Sequence, residues 1–292
     1  MESNLDFFFN IITLLLKSLG IEENPERFFQ IIILIMGRLV AAINFTPFFG
    51  GNTVSSRIKI ALAISLSFLL YPAVAATVPP ELLPRGFLPL VLLLLKEAMV
   101  GFTLGFITSL IFHGIQSAGQ MVDNMRGATI AQLLSLEFNT QVSLVGQIKL
   151  QAAIVLFFIL NGHLLFIRGL FYSFEVLPIN AFPRTGGGIA MGNELTPLVS
   201  DLIRLSSDVL IVSMQLAAPV LVCLFLTDIV FGIFNRVAPQ INVFFLSLSV
   251  KMLVACAMLF LLWGAIVSQM EERFSVYLKA LYTFIAKGIP GG

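Results

Sequence analysis

Six long apolar runs constrain the fold of this chain more than any other feature. They cover residues 28–49, 58–78, 87–112, 147–171, 209–234 and 243–267. Each is about the length of the roughly 20 apolar residues with which a helix crosses the hydrocarbon core of a bilayer. Only 11% of the chain is charged, against about 25% in soluble proteins. Because a spanning segment must pair its own backbone polar groups, the sequence predicts an all-α, polytopic membrane protein with about six long hydrophobic helices.

Shorter amphipathic stretches flank the runs, over residues 5–19 and 270–286. In the second stretch the apolar positions recur at helical spacing, while acidic and basic residues occupy the other face. Its apolar positions are Met270, Phe274, Tyr277, Leu278, Leu281 and Ile285. This pattern predicts an amphipathic helix. Its apolar face could lie in the membrane interface or pack on a partner.

A polar knot over residues 234–245 separates the last two runs. It carries a charge, two amides and Pro239, which breaks a helix, so the chain is expected to turn there. If the turn centres between Pro239 and Gln240, residues whose numbers sum to about 479 lie level on two antiparallel helices. Asp228 and Lys251 meet this condition and predict an ion pair, although either could instead meet a charge on a neighbouring subunit.

The same arithmetic predicts a weaker second pair further from the turn. It places Asp208 beside Glu271 and within one helical turn of Arg273.

Small and polar residues recur every four positions along the third run, at Glu97, Gly101, Gly105, Ser109 and His113. Small residues at this spacing let membrane helices approach closely, so the stripe predicts a packing seam. Glu97 could be a proton or ion site, but its place beside Lys96 near the helix end favours a structural role. His113 is expected to be a buried hydrogen-bonding residue, since one histidine supplies no metal cluster.

Arg38 lies nine residues before Pro47, which is about 13 Å along a helix. A charge at that depth should face protein, because its exposure to hydrocarbon costs several kcal/mol. The alternative is a side chain that snorkels to the interface.

Residues 117–147 differ from the runs on either side because they contain Asp123, Arg126 and Glu137 among scattered amides. An exposed loop would explain this composition. So would a segment buried within protein or lining a water-filled cavity, where irregular backbone is tolerated at membrane depth.

The composition excludes several classes of function. A net charge of +1 provides no basic surface for nucleic acid. No phosphate-binding glycine motif and no catalytic or metal-ligand constellation occurs, so we expect neither enzymatic activity nor a cofactor. Cys223 and Cys256 are expected to be small buried hydrophobic residues. A small-molecule or ion-coupled secondary transporter remains an alternative, because Pro219 interrupts a span between Asp208 and Asp228; no internal repeat supports it.

Several blocks, in this order, resemble the FliR/SctT family, the export-gate subunit of flagellar and virulence type III secretion systems. They are Arg38, Pro47-Phe48-Phe49-Gly50, Lys59, Pro72, Glu97-x3-Gly101-x3-Gly105, Ala118-Gly119-Gln120-x2-Asp123-Asn124-x-Arg126-Gly127, Asn161-Gly162, Ala218-Pro219, Asp228 and the knot Asn235-Arg236-x2-Pro239-Gln240-x-Asn242-Val243-Phe244. Asp123-Asn124-Met125-Arg126-Gly127 and Phe245-Leu246-Ser247 look more like the virulence branch than the flagellar one.

The resemblance implies a structural subunit of an inner-membrane channel for unfolded proteins. One copy would join several copies of each of two smaller subunits, together with larger export-gate and switch subunits, and part of the assembly would be raised above the bilayer plane. Residues 1–200 would form a four-span region and residues 201–292 a C-terminal hairpin with an amphipathic tail.

The resemblance also assigns roles to particular residues. The channel plug would extend from Gly127 to Leu144 and include Gln132, Leu136, Glu137, Phe138 and Asn139. The mid-plug proline of many members is replaced here by Ser135-Leu136-Glu137-Phe138. Roles in gate assembly and structure would fall to Arg38, Pro47, Gly50, Glu97, Gly101, Gly105, Gly119, Asp123, Arg126, Asp228, Arg236, Pro239, Gln240, Asn242 and Lys251.

Overall fold

The computed structural model describes residues 25–49, 51, 54–79, 86–127, 143–180, 197–240 and 242–287. Over these residues the chain is helical, which confirms the predicted all-α class. The helices are α1 (Pro25–Phe45), α2 (Ser56–Thr77), α3 (Phe87–Met125), α4 (Leu144–Ile159), α5 (Gly162–Val176), α6 (Pro197–Val237), α7 (Val243–Leu261) and α8 (Trp263–Lys287). A short 3₁₀ turn, Pro47–Phe49, follows α1.

Five helices of the described part are long and apolar enough to cross a membrane, and α4 with α5 could form a sixth, broken span. Helices α3 and α6 have 39 and 41 residues, so each is about 60 Å long at 1.5 Å per residue. That is about twice the thickness of a hydrocarbon core. Both helices are therefore longer than a single crossing of that layer requires.

The predicted run 147–171 is two helices rather than one. They are bent by 71° at a break between Ile159 and Gly162, where Asn161 has a positive φ of 55°. Asparagine tolerates this left-handed conformation better than most side chains. A Cβ on Gly162 would lie 2.4 Å from the Phe157 ring, so the break also needs a residue without a side chain.

The third run is longer than hydropathy predicts. Helix α3 continues past residue 112 to Met125, so residues 117–125 form its last turns. The exposed-loop reading of the segment 117–147 is therefore wrong for its first third, which is a regular helix in which Asp123 is buried. The reading as a segment buried within protein is confirmed there for burial and is wrong only in expecting an irregular backbone. Residues 128–142, in the middle of the segment, lie outside the described residues.

The chain divides into two compact units that alternate along the sequence. Unit 1 comprises Met1–Phe106, Phe166–Thr196 and Leu281–Gly292, and unit 2 comprises Ile107–Leu165 and Pro197–Ala280. The division at residue 200 inferred from the family remains a prediction about the assembly.

In unit 1, helices α1 and α3 pack with their backbones in close contact. A Cβ on Gly101 would lie 2.0 Å from the Arg38 carbonyl oxygen, and one on Gly105 would lie 2.6 Å from that of Ala42. The predicted seam of small residues is therefore confirmed, at least over these two positions.

In unit 2, the amphipathic helix α8 packs against its own chain. The centre of the Phe274 ring lies 5.3 Å from the ring centres of both Phe112 and Phe157. Met270 and Tyr277, which belong to the same predicted apolar face, are also buried. The predicted face is confirmed. The two proposed locations for that face, the membrane interface or a partner, are wrong for these residues because they are buried within the chain, with Phe274 packed on α3 and α4.

Two smaller expectations about burial are also wrong. His113 is exposed rather than buried. Cys256 is exposed and Cys223 is half-buried, and both are free thiols. Hydropathy correctly places these residues in helices. It does not indicate which face of each helix packs against other helices of the same chain.

Candidate functional site

Three charged side chains from α1 and α3 form a buried cluster in unit 1, which we call the arginine cluster: Arg38, Lys96 and Glu97. The Arg38 Nε lies 2.6 Å from Glu97 Oε2, and the Lys96 Nζ lies 2.6 Å from Glu97 Oε1. Both Arg38 and Glu97 have completely buried side chains. One carboxylate therefore faces two cations in a place that water does not reach.

The extra positive charge is met by backbone carbonyls at the C-terminal end of α5. Arg38 donates through Nη1 to the Ser173 carbonyl oxygen at 2.7 Å and through Nη2 to the Leu177 carbonyl oxygen at 2.8 Å. Lys96 donates to the Ile179 carbonyl oxygen at 2.9 Å. The carbonyls at the C-terminal end of a helix carry partial negative charge, so the Ser173 carbonyl attracts a cation although it also accepts the Leu177 N–H. The cluster therefore joins α1, α3 and the end of α5.

These contacts decide the prediction for Arg38. Its guanidinium also stacks over the Phe174 ring at 4.0 Å, which is a favourable cation–π geometry. The side chain faces protein, as expected, and does not snorkel. Glu97 is the counter-ion of this cluster, in keeping with the structural reading of that residue.

A second cluster lies in unit 2, at the two ends of the segment 128–142, and we call it the aspartate clasp. The Asp123 carboxylate accepts hydrogen bonds from Ser143 Oγ at 2.5 Å and from the Val145 backbone N–H at 2.9 Å, both through Oδ2. Its Oδ1 lies 2.7 Å from the Arg126 Nε. One carboxylate thus joins the end of α3 to the start of α4.

The chain enters and leaves the segment with defined local geometry. Ser143 caps α4 by accepting a hydrogen bond from the Gly146 N–H, as serine commonly does at a helix start. Gly127 has φ +81°, a conformation that glycine adopts without steric cost. A Cβ there would also lie 2.3 Å from Leu248 Cδ2 on α7. The entry to the segment is therefore fixed by α3 and α7 together.

The C-terminal hairpin turns where the polar knot predicts. Helix α6 ends at Val237, Pro239 and Gln240 form the turn, and α7 begins at Val243. Asp228 Oδ1 and Lys251 Nζ form the predicted ion pair, with 37% and 12% of their side-chain surfaces exposed. Lys251 also lies 3.5 Å from the Met125 carbonyl at the end of α3. The internal pair is therefore confirmed in the chain by itself.

The predicted second pair is wrong. Arg273 donates a hydrogen bond to the Gln215 side chain rather than pairing with Asp208. Burial raises the pKa of Tyr277 to about 12. The negative charge of Asp208 adds to this shift, and the positive charge of Arg273 opposes it. Beyond the break at Leu262, α6 and α8 still meet at nearly level positions, because Tyr277 donates a hydrogen bond to the Leu205 carbonyl at 3.5 Å, but Asp208 and Arg273 do not pair with each other.

The other motif residues fall in several places. Gly119 packs on α4, since a Cβ there would lie 2.4 Å from Gly146 Cα, and Pro47 begins the 3₁₀ turn after α1. Leu144 is exposed, as are Arg236, Pro239, Gln240 and Asn242 in the hairpin. The plug residues Gln132, Leu136, Glu137, Phe138 and Asn139, and the motif residue Gly50, lie outside the described residues.

Sequence reasoning missed two polar residues in this region. Ser143 stands immediately before an apolar run, which is the usual signal of a helix N-cap. Lys149 lies within that run, and its side chain is buried. A lone basic residue inside a span is a sign of a specific partner, so both signals were present in the sequence.

Comparison with known proteins gives consistent matches over most of the chain. The family described as bacterial export proteins, family 1, matches residues 29–276. The flagellar biosynthetic protein FliR of Bacillus subtilis is 28% identical over 260 residues, covering 88% of this chain and 95% of the relative. The Yop proteins translocation protein T of Yersinia pestis is 32% identical over 203 residues, covering 68% and 72%. The secretion system apparatus protein SsaT of Salmonella typhimurium is 26% identical over 186 residues, covering 63% and 68%.

Proposed function

Because the chain belongs to the bacterial export proteins, family 1, we propose that it is a structural subunit of a type III secretion export gate. It is a multi-pass protein of the bacterial inner membrane, with apolar helices long enough to span it. In this role it forms part of the channel through which unfolded proteins leave the cytoplasm. Its relatives carry the names of export and secretion components rather than enzymes or small-molecule transporters.

The uneven burial of the apolar helices is the observation that supports assembly with partners. Half of the most apolar stretch of α1 is buried within the chain, but only 11% of the corresponding stretch of α7 is. The exposed side chains of the hairpin include Phe225, Ile229, Phe245 and Leu253. Small subunits that are also apolar would cover these faces, and the chain would join several copies of each of two smaller subunits.

Affinity purification in mild detergent tests this proposal. We expect a tagged chain to recover two small hydrophobic subunits in several copies each, measured by native mass spectrometry. A deletion of α6 and α7 provides the matched control and should lose most of the small subunits while α1–α3 remain in the membrane. Recovery of the chain alone, as a monomer or dimer, would contradict the gate and favour the transporter alternative.

The segment from Gly127 to Leu144 is proposed to occlude the channel. Its composition and its resemblance to the family's plug support this role, and the aspartate clasp brings its two ends together. Deleting about half of residues 128–142 should increase leakage of ions or small dyes across the inner membrane while the complex still assembles. Unchanged permeability in an assembled complex would contradict the plug without contradicting the gate.

The virulence branch is favoured over the flagellar one by the Asp123–Gly127 motif. Relatives of both branches match the chain, so a functional assay has to distinguish them. Deletion of the gene should abolish secretion of effector proteins and leave swimming motility intact. Loss of motility with secretion unchanged would assign the chain to the flagellar system.

A further inference from the structure

Helix α6 contains a proline, and two cations from different helices reach the turn that precedes it. Pro219 has no N–H, so the Gln215 carbonyl lacks its usual helical donor, and the proline ring crowds the same turn. Lys149 on α4 donates to the Leu216 carbonyl at 3.4 Å. Arg273 on α8 donates to the Gln215 side chain. Two positive charges therefore converge on the one turn of α6 that its own backbone cannot complete.

The burial of Lys149 makes this arrangement informative. Only 1% of the residue is exposed, and a buried ammonium group is costly unless it is paired. Asp123 is the acidic group whose charge acts on it, but the Asp123 oxygens already bind Ser143, Val145 and Arg126. The Leu216 carbonyl, which is next in sequence to the Gln215 carbonyl that lacks its donor, is thus the direct hydrogen-bond acceptor found for Lys149.

A cavity lies beside the same turn. Its volume is about 410 Å³, and it is lined by Gln215, Leu216, Ala218, Gln269, Glu272 and Arg273. At about 30 Å³ per water molecule this space could hold on the order of ten waters, which can hydrate an unpaired carbonyl.

We propose that Lys149 and Arg273 are positioning residues that fix the course of α6 at Pro219 and thereby bring Asp228 to Lys251. Asp228 lies nine residues beyond Pro219, about 13 Å along the helix at 1.5 Å per residue. A 20° change in bend, the size that defines a sharp kink, would displace it by about 5 Å. An ion pair requires nitrogen and oxygen within about 4 Å, so the pair depends on the geometry of the break.

The chain's only two cysteines provide a built-in measurement. Cys223 lies one helical turn beyond Pro219 and is half-buried, whereas Cys256 on α7 is exposed. The rate at which a maleimide labels Cys223, divided by the rate at Cys256, should report any movement of the turn after the break. Peptide-resolved mass spectrometry of the purified chain in detergent gives both rates separately.

The test combines Lys149→Met with Pro219→Ala, which restores the missing backbone donor. Since thiol labelling follows exposure, we expect Lys149→Met to change the labelling ratio by about threefold or more. Lys149→Arg should preserve the ratio, and Arg273→Met should change it less than Lys149→Met. In a chain that also carries Pro219→Ala, the change in labelling ratio caused by Lys149→Met should be less than half of the change it causes in the parent chain. Lys279→Met, an exposed substitution on α8, is the matched control and should change nothing.

Three outcomes would overturn the proposal. They are an unchanged ratio in Lys149→Met, an equal effect of that substitution with and without Pro219, or a Lys149→Met chain that cannot be recovered in either background. If the single variant is lost but Pro219→Ala restores its recovery, the proposal is supported. These measurements concern the course of α6 within the chain itself, so a failure of secretion or of small-subunit recovery would count against the proposed function and not against this inference.

Discussion

The arginine cluster in unit 1 and the Asp228–Lys251 pair in unit 2 show two different uses of charge in an apolar chain. The side chains of Arg38 and Glu97 are fully buried, and carbonyls at the end of α5 satisfy the remaining donors. In the hairpin, 37% of the Asp228 side chain remains exposed among apolar residues such as Phe225 and Ile229. The first group is complete within the chain, whereas the second lies on a surface that the chain leaves open.

This difference separates folding from assembly. Removing one partner from a complete buried cluster leaves a charge with no compensation, and the fold itself should suffer. A half-exposed pair can be hydrated or can be met by a neighbouring subunit, so its loss should affect the fold less. The following predictions order the two regions by their expected effect on the stability of the isolated chain.

The largest effect is expected for Arg38→Leu. It leaves Glu97 with Lys96 alone and removes the guanidinium donors to the Ser173 and Leu177 carbonyls, at a cost of about 3–5 kcal/mol for a broken buried pair. The yield of folded chain in detergent, measured by size-exclusion chromatography, should fall severely. Arg57→Leu, at an exposed position of α2, is the control. Normal recovery of Arg38→Leu would mean that the cluster does not hold unit 1 together.

A smaller effect is expected for Gly101→Ala, which adds a single methyl group to the same unit. The new Cβ would lie 2.0 Å from the Arg38 carbonyl, so α1 and α3 must separate, at a cost of about 1–3 kcal/mol. Gly232→Ala is the matched control because nothing lies within 4 Å of its Cβ position. That variant should be as stable as the parent, or up to about 1 kcal/mol more stable. Equal thermal midpoints for the two variants would contradict the close packing of the seam.

For the Asp228–Lys251 pair we expect an effect of about 0.5–3 kcal/mol, the range of coupling between residues in contact. Asp228→Lys and Lys251→Asp should each lower stability or secretion, and the double variant should recover much of the loss. A double variant as defective as the worse single would show that the pair made inside the chain is replaced by contacts with another subunit in the assembly.

The sequence predicts the helical class and the hairpin well because both depend on local chemistry. Apolar runs of the right length specify spans, and Pro239 with its polar neighbours specifies a turn. It also predicts that Arg38 faces protein, since the cost of a charge in hydrocarbon does not depend on the partner. The partners themselves, at the end of α5, lie 135–139 residues away in sequence, and no local pattern indicates them.

The errors have physical reasons of the same kind. The expected pairing of Asp208 near Arg273 rests on level spacing, which does not specify the direction of the side chains, and Arg273 instead donates a hydrogen bond to Gln215. His113 and Cys256 lie in apolar helices, as expected, but exposure depends on which faces the chain covers. The length of α3 was underestimated because its last turns carry polar residues that bind the start of α4, so hydropathy ends before the helix does.

The smallest effect on the isolated chain is expected for Arg236→Ala at the hairpin turn. Arg236 is exposed and lies in the last turn of α6, where an exposed basic residue stabilises the helix by only about 0.3–1 kcal/mol through the helix dipole. If the turn has the assembly role that its family resemblance implies, the same change should still reduce the recovery of small subunits with the tagged chain. Arg204→Ala, an exposed arginine near the other end of α6, should preserve both stability and recovery. The comparison between the two regions would fail if Arg236→Ala destabilised the isolated chain as much as Arg38→Leu, because the open hairpin would then be part of the fold rather than a surface left for partners.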